Sequence, residues 1–350
     1  MRIPRPPRPA PRAFAAALAV LLLLHACGGS APSEQAFAGE AMGTTWSVKV
    51  RSSQPMTEEA AATLQASIEL AIEQVNQKMS TYLATSELSR FNDLPGPATM
   101  EASADTIEVF AEARRIGGLS DGVFDITVGP LVNAWGFGPG DRREDLDDAE
   151  LARLRALTGW DKIEIDTAAK TLHKTIDGVY CDLSAIAKGY AVDKAAEALE
   201  GAGHADYMVE IGGEVRVRGV NRSGEPWRIA VEKPDPAGRT IQRVLPLHDI
   251  AMATSGDYRN YFEKDGERYS HEIDPRTGRP VGHRTASVTV LDPSCATADA
   301  WATALIVLGE EAGYGKAVEL ELPALFLVRE GEAFVEKPTP AFEGLFPEPQ

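Results

Sequence analysis

Residues 270–280 read SHEIDPRTGRP, and residues 298–305 read ADAWATAL. A strand signal runs into the first stretch. Tyr261–Lys264 and Glu267–Ile273 flank Asp265-Gly266, a two-residue turn that favours an antiparallel hairpin. His271 therefore sits where a strand ends. Glu272, Asp274, Arg276, Thr277 and Arg279 follow, punctuated by Pro275, Gly278 and Pro280. A loop needs only turn formers, yet this one gathers an imidazole, carboxylates and guanidinium groups. The second stretch reads as a helix over Thr297–Leu308, with Asp299 and Thr303 one turn apart on one face. The pairing points to phosphate chemistry.

Outward from this centre, strands and helices mix without βαβ alternation. Gly39–Arg51 alternates as a strand. Thr57 caps a helix whose apolar stripe is Leu64, Ile68, Ile72, Val75 and Met79. Residues 79–91 read as irregular. Ser103 starts a second helix that Gly117-Gly118 ends, and residues 121–135 read as a loop with a strand-like middle. A short acidic helix covers Asp145–Leu157. Lys162–Ile165 and Thr171–Ile176 suggest a hairpin, and Val179–Leu183 enters a helix over Ser184–Leu199. Strands follow at Tyr207–Ile211, Val215–Val220, Trp227–Glu232, Gln242–Leu247, Ser287–Leu291 and Ala324–Arg329, with a further helix over Glu311–Leu320. The fold class is α+β, with antiparallel or mixed sheets and packed helices. Nothing marks a linker, so residues 39–345 form one catalytic domain.

The N-terminus reads as an export signal. Residues 1–12 carry four arginines and no acid, and residues 13–24 (AFAAALAVLLLL) are uninterrupted apolar sequence, too short to span a bilayer. Leu24-His25-Ala26-Cys27 resembles a lipoprotein cleavage site, with His25 in place of a small residue. Residues 1–26 are then a lipoprotein signal peptide, Cys27 the lipidated N-terminus, and residues 27–38 a flexible tether. An ordinary cleaved leader is the competing reading. The net charge of −17 disfavours nucleic acid, and any phosphate ligand needs local positive charge or a metal. Cys181 and Cys295 make no disulfide framework; buried thiols are the simpler reading, and a single bridge stays open.

Four constellations carry chemistry. Asp182-Leu183-Ser184 enters a helix with Lys188 one turn later; Ser184 as cap and Lys188 as a surface charge would read the same. Gly212-Gly213-Glu214 lies between strands, as a turn, a bulge or a close approach to a ligand. Asp299, the Ala302 carbonyl and Thr303 are hard oxygen donors suited to Mg²⁺, or only a helix start. His271 takes up a proton near neutral pH, or is structural. No zinc motif, Walker loop or dinucleotide fingerprint occurs.

Taken together, AMGTTWSV at 41–48, MSTY at 79–82, DGVFDITVGPLVNAWGFG at 121–138, DLSAIAKGYAVD at 182–193, IGGE at 211–214, TSGDYRNYF at 254–262, SHEIDPRTGRP at 270–280 and ATADAWATAL at 296–305 resemble, in order, the motifs of the ApbE family, the FAD:protein FMN transferases. The resemblance covers roughly residues 39–329. It implies an α+β protein with FAD in an elongated cleft, contacted by Met42, Tyr82, Val123, Phe124, Asp125, Asp182, Lys188 and Ile273. It implies Mg²⁺ held by Asp299, Thr303 and backbone oxygens of Ala185 and Ala302. Ala302 stands where some members carry an acid, and Glu214 replaces a common Asp. The implied reaction moves FMN from FAD to a Thr or Ser hydroxyl and releases AMP, with His271 as general base and Arg276 assisting phosphate binding. The implied partners are flavin-carrying subunits of membrane redox complexes, met outside the cytoplasm by a chain anchored through Cys27. A flavin-binding lipoprotein without catalysis and a Mg²⁺-dependent FAD pyrophosphatase are the alternatives.

Overall fold

The computed structural model describes residues 32–139, 146–234, 240–257, 261–264, 267–331 and 333–346. The leader, Cys27, the first residues of the expected tether (27–31) and the Asp265-Gly266 turn lie outside the described residues. The tether ends sooner than expected, because Ser33–Ala41 forms a strand along its whole length with Thr44–Ser52. Gln35, Phe37 and Gly39 face Val50, Val48 and Trp46, so a segment of modest propensity is fixed by its partner strand.

The main sheet, among the described residues, contains β1 (Ser33–Ala41), β2 (Thr44–Ser52), β3 (Tyr207–Ile211), β4 (Glu214–Arg218), β5 (Ile250–Gly256), β6 (Thr285–Asp292), β7 (Ala324–Glu330) and β8 (Ala333–Pro338). Spatial order follows chain order, and every neighbour is antiparallel. No crossover is needed; each excursion returns to the adjacent slot. Three excursions build the site: residues 53–206, residues 257–284 and residues 293–323.

The first excursion holds helices α1 (Glu58–Met79), α2 (Glu87–Asp93), α3 (Ala104–Leu119), α4 (Gly129–Trp135), α5 (Asp148–Leu157) and α6 (Ala187–Gly201). Thr57 Oγ1 accepts from Ala60 N at 3.2 Å, and the stripe Leu64, Ile68, Ile72, Val75 and Met79 is buried as its spacing requires. Ser103 caps α3, which runs on through Gly117-Gly118 to Leu119. The strand-like middle of residues 121–135 is instead a 3-10 turn, Ile126–Val128, followed by α4. Asp125 accepts from Thr127 N at 2.8 Å, and Pro130 suits the first turn of a helix and not a ladder.

Helix α2 lies in the stretch expected to be irregular; Ser86 caps its start, accepting from Ser89 N at 2.9 Å, and a tertiary contact fixes its other end. The buried Lys174 ammonium donates to Asn92 O at 2.8 Å and Leu94 O at 2.9 Å, meeting the carbonyls at the end of α2. Burial lowers the Lys174 pKa. Asn92 grips Cys181 in both directions, donating to its O at 2.8 Å and accepting from its N at 2.7 Å. The chain entering Asp182 is thereby tied to α2.

Helix α7 (Cys295–Glu319) is broken at Gly309, where φ is 81°, matching the two helices expected over 297–320. Helices α6 and α7 pack together and on one sheet face. Strands Trp227–Glu232 and Ile241–Leu247 form a hairpin that covers part of the other face through Trp227, Ile229 and Val231 against Val215, Met252 and Leu327. Central β6 is buried at every position but Asp292. A short helix, Pro340–Leu345, closes the described chain. Both Cys181 and Cys295 are buried free thiols.

Candidate active site

The two layers leave a cavity of about 390 Å³ at one end of the sheet. Its walls come from residues 123–137, 182–188, 212–214, 254–256, 271–275 and 299–307, with Tyr82 at the mouth. Of the residues singled out from sequence, Tyr82, Val123, Phe124, Asp125, Asp182, Ala185, Lys188, His271, Ile273, Asp299 and Thr303 all line it.

Helices α6 and α7 cross at the charged centre. A Cβ on Gly189 would lie 2.3 Å from Cys295 O, so only glycine permits this approach. The helices then satisfy each other's polar groups. Asp193 on α6 accepts from Cys295 N and Ala296 N, both at 3.0 Å, at the start of α7. Asp299 on α7 accepts from Gly189 N at 3.0 Å.

Lys188 lies between two buried carboxylates, 2.8 Å from Glu214 Oε1 and 3.8 Å from Asp299 Oδ1. Burial works to lower the Lys188 pKa, but Asp299 and Glu214 outweigh it and hold the ammonium charged. Burial raises both carboxyls, Glu214 to about 7, with Lys188 opposing. Lys188 is therefore a charge held between two carboxylates, and not a free surface lysine.

The wall facing this centre is apolar: Val123, Phe124, Ile126, Val128, Val132 and Ile273. Tyr82 is 69% exposed, which leaves its ring available to a flat ligand. Asp125 is raised by burial and accepts from Thr127 N and Oγ1. Asp182 accepts from Ser184 N at 2.8 Å and from its hydroxyl. Ser184 thus bonds back to Asp182 instead of capping α6, which begins at Ala187 behind a residue without a side-chain cap.

His271 leaves the end of strand Glu267–Ser270, as expected. Its Nε2 is 3.4 Å from Glu272 Oε1, and Phe137 packs edge-on with ring centroids 6.2 Å apart. Burial raises the Glu272 carboxyl, with the His271 charge opposing. An imidazole beside a buried carboxylate, lining the cavity, is a candidate proton acceptor.

Three expected contacts stand apart from the cavity wall. Met42 occupies the β1–β2 turn at φ 51° and packs on the core. Ala302 is fully buried, with its neighbours Asp299 and Thr303 lining the cavity. Arg276 is committed to Asp274 through a pair of bonds at 3.0 and 2.9 Å. Sequence reasoning did not assign Glu272, Phe137 or Ser255 to the site. Ser255 Oγ is 3.1 Å from Thr303 Oγ1. All three lie inside the family motifs, but a single Glu, Phe or Ser carries no signal of its own.

The donor set suits a hard cation. Asp299 and Thr303 present a carboxylate and a hydroxyl one helical turn apart, and Glu214 Oε2 is buried with no partner. Among the described residues no group of three His, Cys, Asp or Glu side chains converges as a metal cage, so hydroxyl and carbonyl oxygens would complete the shell. The cavity's apolar wall with an ammonium at its far side likewise suits an aromatic ring system joined to phosphates.

The ApbE family model matches residues 42–326. The FAD:protein FMN transferase of Vibrio cholerae is 48% identical over 335 residues, spanning 95% of this chain and 98% of that protein. The enzyme of the same name from Salmonella typhimurium is 38% identical, covering 94% and 96%. Among solved structures, the flavin transferase ApbE from Vibrio cholerae superposes with a TM-score of 0.81 at 46% identity, over 89% of this chain and 99% of that one. The apo Pseudomonas stutzeri flavinyl transferase ApbE gives 0.81 at 39%, over 90% and 97%. The ordered motifs, the cavity they line and matches running nearly end to end together make this chain a member of the ApbE family.

Proposed function

We propose that this chain transfers FMN from FAD to a threonine or serine hydroxyl of an acceptor protein. The hydroxyl oxygen bonds to the phosphorus on the riboflavin side, the pyrophosphate P–O bond breaks, AMP leaves, and the hydroxyl proton passes to the His271 imidazole. The observation that carries this reading is one cavity with an oriented His271 and an ammonium, Lys188, facing an aromatic and apolar wall. Glu272 stabilises the imidazolium that proton uptake creates. Lys188 donates to phosphate oxygens, and Tyr82, Phe124 and Ile273 hold the isoalloxazine against water. Phosphoryl transfer needs positioning and charge neutralisation above all. Mg²⁺ held by Asp299 and Thr303, with a backbone oxygen at Ala185, supplies further charge neutralisation when bound.

In this reading Cys27 carries acyl chains, and the domain works on the periplasmic side of a bacterial membrane, inner or outer. Its acceptors are flavin-carrying subunits of membrane redox complexes. The export-like leader supports this placement. Cys27→Ser should then release the protein from the membrane fraction; a variant still sedimenting with membranes refutes the anchor.

The deciding assay incubates the chain with FAD, Mg²⁺ and such a subunit. AMP together with a mass gain of one FMN on the acceptor is the expected result. AMP without the adduct would identify a pyrophosphatase, and neither product a flavin binder.

A further inference from the structure

A second cavity, of about 280 Å³, lies on the opposite face of the sheet and shares Gly212 and Thr254 with the first. Its floor is Met208, Val215 and Met252; its far wall is strand Trp227–Glu232, through Arg228, Ile229, Ala230 and Glu232. Consecutive residues of both side-chain parities line it, and none from Ile241–Leu247 do, so the cavity runs along the edge of Trp227–Glu232 remote from its hairpin partner. Among the described residues that edge has no ladder partner. Arg228 stands opposite Pro246. Proline has no N–H, which fits a pair that exchanges no ladder bonds. The alternation then turns the amides of Arg228 and Ala230 towards the cavity.

The rim between the cavities is thin. Gly212 and Gly213 form the β3–β4 turn at φ 65° and 110°, and a Cβ on Gly213 would meet nothing within 4 Å. No side chain at Gly213 obstructs passage from the outer groove to Lys188. An exposed strand edge along a groove that ends at a catalytic cavity is the geometry for adding an extended peptide.

We propose that the acceptor protein docks here. Its hydroxyl-bearing segment adds as a strand to the free edge of Trp227–Glu232, seats apolar side chains on Met208 and Met252, and turns over Gly212-Gly213 to bring its threonine or serine to His271. This rests on the transferase reading above. Arg228 is exposed and makes no ion pair among the described residues, so it is available to a carboxylate or carbonyl of the incoming strand.

Ala230→Pro removes an outward N–H at an edge position that tolerates proline, and Arg228→Glu reverses the exposed charge. Each full-length variant is assayed for KM towards the flavin-carrying subunit and towards FAD. Hydrogen exchange of residues 228–232 in the unaltered chain is followed with a subunit whose acceptor threonine is valine. We expect the acceptor KM to rise about tenfold or more, the FAD KM to stay, and exchange at 228–232 to slow. Unchanged acceptor KM in both variants, or no slowing at 228–232, overturns the docking site while leaving the transferase reading intact. Failure of the unaltered chain to transfer FMN at all would overturn both.

Discussion

Replacing Asp299 with asparagine should separate what the charge does for the reaction from what it costs the fold. The amide has the volume of the carboxylate, and its oxygen can keep the 3.0 Å bond from Gly189 N. Lys188 retains Glu214 at 2.8 Å. What disappears is one negative charge facing the cavity. At an effective dielectric of 20, a unit pair 4 Å apart is worth about 4 kcal/mol, and a divalent cation doubles that. Desolvation returns most of it. A net loss of about 3 kcal/mol is a fall of roughly 10²-fold in Mg²⁺ affinity. The fold responds the other way. Burial raises the Asp299 pKa above its ordinary 3.8, so the folded state binds this proton more tightly than the unfolded chain. Ionised Asp299 therefore subtracts from stability at neutral pH, and a neutral amide removes that subtraction. Without metal the variant should melt at or above the wild-type temperature. Thermal unfolding across a Mg²⁺ titration, with calorimetric binding beside it, reads both effects. Wild-type and variant curves that rise equally with Mg²⁺ would refute the assignment of the cation to Asp299. A metal-free variant melting more than about 4 °C lower would refute the argument that its charge costs stability.

Other outcomes follow from the same contacts. His271→Ala should bind FAD normally, read by flavin fluorescence, and lose about 10²–10⁴-fold in transfer rate; full activity removes His271 from the reaction. Asn92→Ala cuts both bonds to Cys181 and should cost about 2–3 kcal/mol in denaturant unfolding, with weaker FAD binding because Asp182 follows Cys181; unaltered FAD affinity would show that the clamp serves stability alone. Asp105 joins α3 to Lys78 and Tyr190. Burial works to raise its pKa, but these partners prevail and hold it below 3.8. The stability it adds is present above pH 3.8 and lost as pH falls through the lower folded-state value. Asp105→Asn should thus be less stable than wild type at pH 6, with the gap closing in strong acid; a gap that persists there contradicts the linkage.

Much of the local structure could be read from the chain because its causes are local. Thr57 and Ser103 cap helices, and the α1 stripe repeats every three or four residues; those signals act within one or two turns. The site motifs were legible as chemistry for the same reason, and eleven of the residues they nominated line one cavity. Where the reading failed, the deciding partner was distant. Ser33–Ala38 resembles a tether until β2 pairs with it. Ser89 and Phe91 look irregular until Lys174 meets the end of α2. Ser184 looks like a cap until Asp182 claims it.

The amino-acid order by itself settled the α+β class, the helix boundaries set by caps and stripes, and the family membership carried by its ordered motifs. Only the folded sheet decided that Lys188, Glu214 and Asp299 meet, and that Lys188 is held by carboxylates and not free. The contact from Gly189 to Asp299 spans 110 positions, and no short-range preference encodes it. It exists because a meandering sheet returns each excursion to its neighbour's edge, and because glycine at 189 lets two helices close to backbone distance.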